Sequence, residues 1–153
     1  MKTTLQHNVT LEQPIDKVWA VLSDPWQVAP CLPGAEVTEA LSDTEYAGKV
    51  KIKLGPLGLT VKGRIVVEEL DHASYKIRMR GKGKDALGAG SASMTMTGQL
   101  TSLGDSSTAL ATEAEIEIHG RMAQFASRLI HNVSDSMFNK FLANLQKKLS
   151  EAG

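Results

Sequence analysis

The 153-residue chain contains a single cysteine, Cys31, so it cannot form an internal disulfide and offers no thiol pair at metal-ligand spacing. A lone thiol fits a reducing compartment, and a cytoplasmic protein is the expectation. Lys and Arg number 17 and Asp and Glu also number 17, leaving no net charge. General nucleic-acid binding, which needs a basic excess, is therefore disfavoured. Long apolar runs are missing too. The start, Met1-Lys2-Thr3-Thr4-Leu5-Gln6, lacks the apolar stretch of a secretory signal, and no segment approaches the ~18 apolar residues of a bilayer span. The four histidines, His7, His72, His119 and His131, lie far apart, with no second ligand at metal spacing, so neither a metal nor a cofactor is expected.

Proline and glycine are absent from Arg121 to Ser150, and this absence is informative. Phe125, Leu129, Ile130, Val133, Met137, Phe138, Phe141, Leu145 and Leu149 recur at steps of three and four, which predicts one apolar helical face. Such a helix is roughly 45 Å long. Upstream the period changes to two. Residues 3–13 read as a strand, Pro14 opens a short helix carrying Ile15, Val18, Trp19 and Leu22, and a second short turn carries Trp26 to Cys31. A meander follows at about 36–41, 45–54, 60–70, 74–82, 91–103 and 108–119, with turns at Gly55-Pro56-Leu57-Gly58, Asp71-His72 and Gly104-Asp105-Ser106. No linker or repeat divides residues 1–153, so a single α+β domain is expected: about seven antiparallel strands curved around one long C-terminal helix, with two short helices after the first strand.

Several short pieces carry a family resemblance. They are Pro14 with Val18-Trp19, Leu32-Pro33-Gly34-Ala35-Glu36, Val50-Lys51-Ile52-Lys53-Leu54-Gly55-Pro56, Gly63, Gly90-Ser91-Ala92-Ser93, Thr108-Ala109-Leu110 and the helix start from Gly120 to Phe125. In this order the chain resembles the helix-grip fold of the START-like (Bet v 1-like, SRPBCC) superfamily and, within it, the carbon monoxide dehydrogenase G-subunit family. That resemblance implies an accessory role to a molybdenum hydroxylase of the carbon monoxide dehydrogenase type, near the inner face of a membrane. It also implies that the Leu54–Leu59 and Gly81–Gly90 loops stand at a cavity mouth. Many members continue into a C-terminal tail, whereas this sequence stops at Gly153, which leaves tail-dependent anchoring unsupported.

Strand parity selects an inward set, including Val50 and Ile52, Val61 and Ile65, Ile77 and Met79, Met94 and Met96, with Gly48, Gly63 and Gly98 adding no volume. Together with Leu57 and Leu87 on the loops and Phe125, Leu129 and Val133 on the helix, Val50, Ile52, Met94 and Met96 are the expected lining of an apolar pocket. A lining poor in fixed acids and bases suits binding better than catalysis. The expected function is thus non-catalytic binding or carriage of an apolar, quinone- or lipid-like molecule.

Two alternatives stand beside it. A cyclase- or hydrolase-type enzyme would need a buried titratable group, for which Tyr46 and Glu36 are the candidates. A docking module would use the outer sheet face, where Lys49, Lys51, Lys53, Lys62, Arg64, Lys76, Arg78 and Arg80 alternate with apolar residues and could meet an acidic partner or anionic membrane. Glu113, Glu115 and Glu117 alternate with Ala114, Ile116 and Ile118 and are expected to face water. Gly81-Lys82-Gly83-Lys84-Asp85-Ala86-Leu87-Gly88-Ala89-Gly90 lacks the spacing of a phosphate loop and is expected to be a mobile loop between strands. His7 and His119 are expected to meet as a structural pair if the first and last strands pair.

Overall fold

The computed structural model describes residues 1–151. Strand β1 (Lys2–Leu11) leads to helices α1 (Ile15–Leu22) and α2 (Pro25–Val28), then a 3-10 turn (Ala29–Cys31). Strands β2 (Ala35–Ala40), β3 (Glu45–Leu54), β4 (Leu57–Asp71), β5 (Lys76–Asp85), β6 (Ser91–Gly104) and β7 (Ser107–His119) follow, and α3 (Arg121–Glu151) ends the described chain. All seven strands form one antiparallel sheet in the order β1-β7-β6-β5-β4-β3-β2. This is the helix-grip arrangement.

Local chemistry sets the boundaries. Pro14 stands in an extended conformation before α1, and its carbonyl accepts from the amides of Lys17 and Val18. Ser23 closes that helix by donating its hydroxyl to the Trp19 carbonyl at 2.6 Å. Asp24 caps α2 by accepting from the Trp26 amide, with Pro25 in the first turn. Between β3 and β4 the loop shrinks to Gly55-Pro56, and Gly55 takes φ +61° as a two-residue hairpin of the mirror-turn kind requires. At the base of α3, Gly120 (φ +87°) lies against Gly90: a Cβ on Gly120 would sit 2.7 Å from Gly90 Cα. That contact lets the Ala89 carbonyl accept from the Met122 amide and satisfy the helix start.

Residues 81–85, expected to be a mobile connection, continue β5 and pair with both β4 and β6. The inward positions there are Gly81, Gly83 and Asp85, so no apolar alternation advertised the strand. Asp85 then folds back over the turn. Its carboxylate accepts from the amides of Thr60, Leu87 and Ala89 at 3.0–3.1 Å.

Helix α3 runs closest to β3 on one flank and to β1 and β7 on the other, while the central strands β4 to β6 lie farther from it. Its ends are sealed by two separate apolar clusters. Near β5–β6 and the helix start, Leu54, Leu59, Ala89, Ile118, Met122 and Ala126 pack together. At the far end Leu145 and Leu149 join Leu11, Val18, Trp19, Cys31, Leu100 and Leu110, with Asn144 donating to the Cys31 carbonyl.

Candidate functional site: the space beneath the long helix

From Ser127 to Asn144, more than half the length of α3, no residue is fully buried. Opposite it, inward residues Ile65, Val67, Met79, Met94, Met96, Ala114 and Ile116 remain half-buried, although they occupy the centre of the sheet's concave face. In a filled two-layer domain that position holds the best-buried side chains. The total accessible surface points the same way. It is 8574 Å², whereas a solid globule of this mass exposes about 7,500 Å². The excess of about 1,000 Å² fits a helix held off its sheet.

The inward glycines at 48, 63 and 98 divide into two kinds. A Cβ on Gly48 would lie 2.7 Å from the Glu36 carbonyl oxygen, and one on Gly63 would lie 1.8 Å from that of Lys82. These two permit close approach where the sheet bends sharply. Gly98 differs, because a Cβ there meets nothing within 4 Å. It lies between Ile77 and Thr112 on neighbouring strands, on the concave face.

The expected lining residues spread over this space unevenly. Met94 and Met96 lie on its floor, half-buried. Val50 is half-buried on β3, opposite Val61. Ile52, Leu57, Phe125 and Val133 pack against the cluster that seals the α3 start. Leu129 covers the β3–β4 hairpin, its Cδ1 lying 3.1 Å from where a Gly55 Cβ would be. Leu87 stands apart: at the tip of the β5–β6 turn it is 93% exposed and packs against neither cluster. The Asp85-centred turn directs it outward. Among the described residues, two shallow concavities lie outside the interior. One, about 310 Å³, is bordered by Asn8, Thr10, Thr101, Ala109 and Ala111 on the convex face. The other, about 390 Å³, lies among Lys84, Gly88, Ser91 and His119.

On the convex face the basic residues line up as parity implies, and some are neutralised. Lys49 pairs with Glu36 at 3.7 Å, Arg64 with Glu45 at 3.6 Å, and Arg78 and Arg80 both with Glu68 at 3.4 and 3.2 Å. Among the described residues Lys51, Lys53, Lys62 and Lys76 have no ion pair, and neither do Lys82 and Lys84. Lys49, Lys62 and Lys84 stand directly opposite one another on β3, β4 and β5. Like charges in that relation destabilise a sheet, so this row is held at a cost. Glu113, Glu115 and Glu117 are exposed.

Polar groups are placed differently from expectation. β1 and β7 do pair, but His7 faces Thr112, and His119 bonds Glu117 at the strand end, so the two histidines do not meet. His7 instead points inward, its Nε2 3.0 Å from Asp135 Oδ1 and its ring stacked on Phe138. Nothing in the sequence linked these partners, 128 residues apart. Glu36 lies exposed in its ion pair with Lys49, and the Tyr46 hydroxyl donates to the Asp43 carbonyl near the surface. Neither supplies a buried acid. At the α1 end, Trp19 Nε1 donates to His72 Nδ1 at 2.9 Å, and the Tyr75 hydroxyl donates to Asp16 at 2.6 Å, which raises the phenol pKa. These contacts tie α1 to the β4–β5 turn. No cluster of three potential metal ligands occurs among the described residues, and no helix there is long and apolar enough to cross a membrane.

Comparison with known proteins agrees with this fold. The family model for the carbon monoxide dehydrogenase G-subunit (CoxG) matches residues 8–150, and the chain belongs to that family. No curated protein matches the sequence. Among solved structures, a conserved protein from Geobacillus kaustophilus superposes with a TM-score of 0.88 at 19% identity, over 98% of this chain and 97% of that one. The ZhuI aromatase/cyclase from Streptomyces sp. R1128 gives 0.71 at 17% identity, over 98% and 94%. A START superfamily protein from Mycobacterium smegmatis gives 0.64 at 12% identity, over 98% and 99%. At these identities the likeness is one of fold.

Proposed function

We propose that this member of the CoxG family is a non-catalytic carrier for an apolar small molecule, quinone- or lipid-like, serving a molybdenum hydroxylase of the carbon monoxide dehydrogenase type. The carrying observation is the half-buried apolar stretch between two sealed ends, with open space over Gly98. The guest lies along Met94 and Met96 and beneath Val133, bounded by Val50, Ile52, Leu57, Phe125 and Leu129. Methionines suit this task because their unbranched, polarisable chains repack around different shapes. Leu87 is a contact point at the mouth rather than a wall. The convex face of Lys49, Lys51, Lys53, Lys62, Arg64, Lys76, Arg78 and Arg80 docks on an acidic partner surface or on the anionic inner face of a membrane, which makes the protein peripheral.

Native mass spectrometry of freshly purified protein tests the carrier reading. An adduct that survives in the native spectrum and is released as an apolar molecule on denaturation supports it. A bare chain that also fails to bind added apolar probes contradicts it. Docking is tested by flotation with vesicles containing anionic lipid. Retention that falls steeply as salt rises supports the basic face, and retention insensitive to salt contradicts it.

A further inference from the structure

We infer that His7 and Asp135 form a hydroxyl-recognising subsite on the β1 wall of the interior, a refinement that rests on the carrier reading above. His7 shares the inward parity of Leu5, Val9 and Leu11, and its side chain is 17% exposed. Its ring lies flat on Phe138 of α3, with centroids 4.4 Å apart and planes inclined by 7°. The same rung continues across the sheet through Thr112 to Gly98, the one inward glycine of the three above that faces open space. The imidazole therefore lies on the same inward rung as Gly98, two strands away.

Asp135 determines what that imidazole offers. A carboxylate only accepts hydrogen bonds, so the hydrogen between the two groups belongs to His7 Nε2. In the neutral ring Nδ1 then carries a lone pair. Nδ1 has no partner among the described residues, yet no unpartnered side-chain nitrogen or oxygen there is sealed from solvent, so Nδ1 is accessible. A guest thus meets the Nδ1 acceptor beside the half-buried Thr112, whose hydroxyl donates to the His7 carbonyl, on a wall that is apolar at Leu5, Val9 and Leu11. An alcohol or phenol O–H hydrogen-bonds to it. An ether or ketone oxygen at the same place sets lone pair against lone pair and leaves both unsatisfied, so among quinone-like guests the subsite takes the hydroxyl-bearing quinol form. The subsite selects an apolar molecule bearing a hydroxyl over the same molecule with that oxygen capped. Asp135, 68% exposed on α3, acts as a positioning residue by fixing the tautomer.

The test uses two probes on the full chain, 2-naphthol and 2-methoxynaphthalene, with affinities from calorimetry. His7→Phe keeps the ring stack on Phe138 and removes the acceptor, so it also corrects for the unequal hydrophobicity of the probes. The naphthol-to-ether affinity ratio is expected to fall about five- to tenfold from wild type to His7→Phe, with ether binding retained. Asp135→Leu, at an exposed helical position, is expected to lower the ratio part of the way. Long-range ¹H–¹⁵N spectra should show the Nε2–H tautomer in wild type and a mixture in Asp135→Leu. A ratio unchanged by His7→Phe, or an Nδ1–H tautomer in wild type, overturns the subsite while leaving the carrier reading intact. Failure of both probes to bind wild type overturns both.

Discussion

Adding a single methyl group at Gly98 and, separately, at Gly63 probes whether the interior is filled. Both glycines face the concave side, but a Cβ at Gly98 meets nothing within 4 Å, whereas one at Gly63 falls 1.8 Å from the Lys82 carbonyl oxygen and 2.6 Å from Gly83 Cα. Gly98→Ala restricts the unfolded chain, a gain of about 0.4–1 kcal/mol. It adds up to about 0.8 kcal/mol if the methyl is buried. The expected result is a stabilisation of about 0.5–1.5 kcal/mol, or a Tm higher by roughly 1–5 °C. Gly63→Ala must move backbone, at about 3 kcal/mol or more. Urea and thermal unfolding of the two variants measure the contrast directly. A loss of more than about 1 kcal/mol at Gly98 would mean that the space is occupied, and the carrier reading would fail with it.

The sealed ends and the open middle should also differ in their response to truncation. Leu145→Ala, at a fully buried position, is expected to cost about 2–5 kcal/mol, and the half-buried Val133→Ala less than about 1.5 kcal/mol, read from urea midpoints. The amide of Ala89, with those of Thr60 and Leu87, holds the Asp85 carboxyl below its usual 3.8 against the opposing effect of burial. A lowered folded pKa gives stability that is complete above the unfolded value and lost as pH falls through the folded one. Asp85→Asn should therefore flatten the acid side of the stability–pH curve, and an unaltered acid slope would contradict the role of these amides. Burial pushes the Cys31 thiol pKa up, with the Lys148 charge opposing it. Iodoacetamide labelling of the folded protein at about pH 8 should be at least about tenfold slower than of the unfolded chain, and equal rates would refute it.

Much of the fold was legible because burial imposes a period on the sequence. The unbroken three–four spacing from Phe125 to Leu149 gave α3 almost to the residue, and alternation gave the seven strands. The errors fall where side chains carry no period. The continuation of β5 to Asp85 was not legible because Gly81 and Gly83 occupy its inward positions and leave nothing to alternate. The glycines at 48, 63 and 98 looked equivalent in sequence, but strand curvature makes two of them close-approach positions and one a gap. Pairing of β1 with β7 was implied by the fold resemblance, whereas its register was not legible. That register sets His7 opposite Thr112, far from His119, and within bonding distance of Asp135. Leu87 looked like a wall residue until the turn built on Asp85 carried it into solvent.

Six methionines make the central claim directly measurable, since Met1, Met79, Met94, Met96, Met122 and Met137 sample both the interior and its surroundings. With ¹³C-methyl-labelled methionine, titration of the protein with 2-naphthol should shift the methyls of Met79, Met94 and Met96 on the sheet floor. Met122, buried in the sealed end, and Met1 beside it should stay in place. Shifts led by Met1 and Met122, or no shift at any methyl, would contradict a guest site beneath the helix.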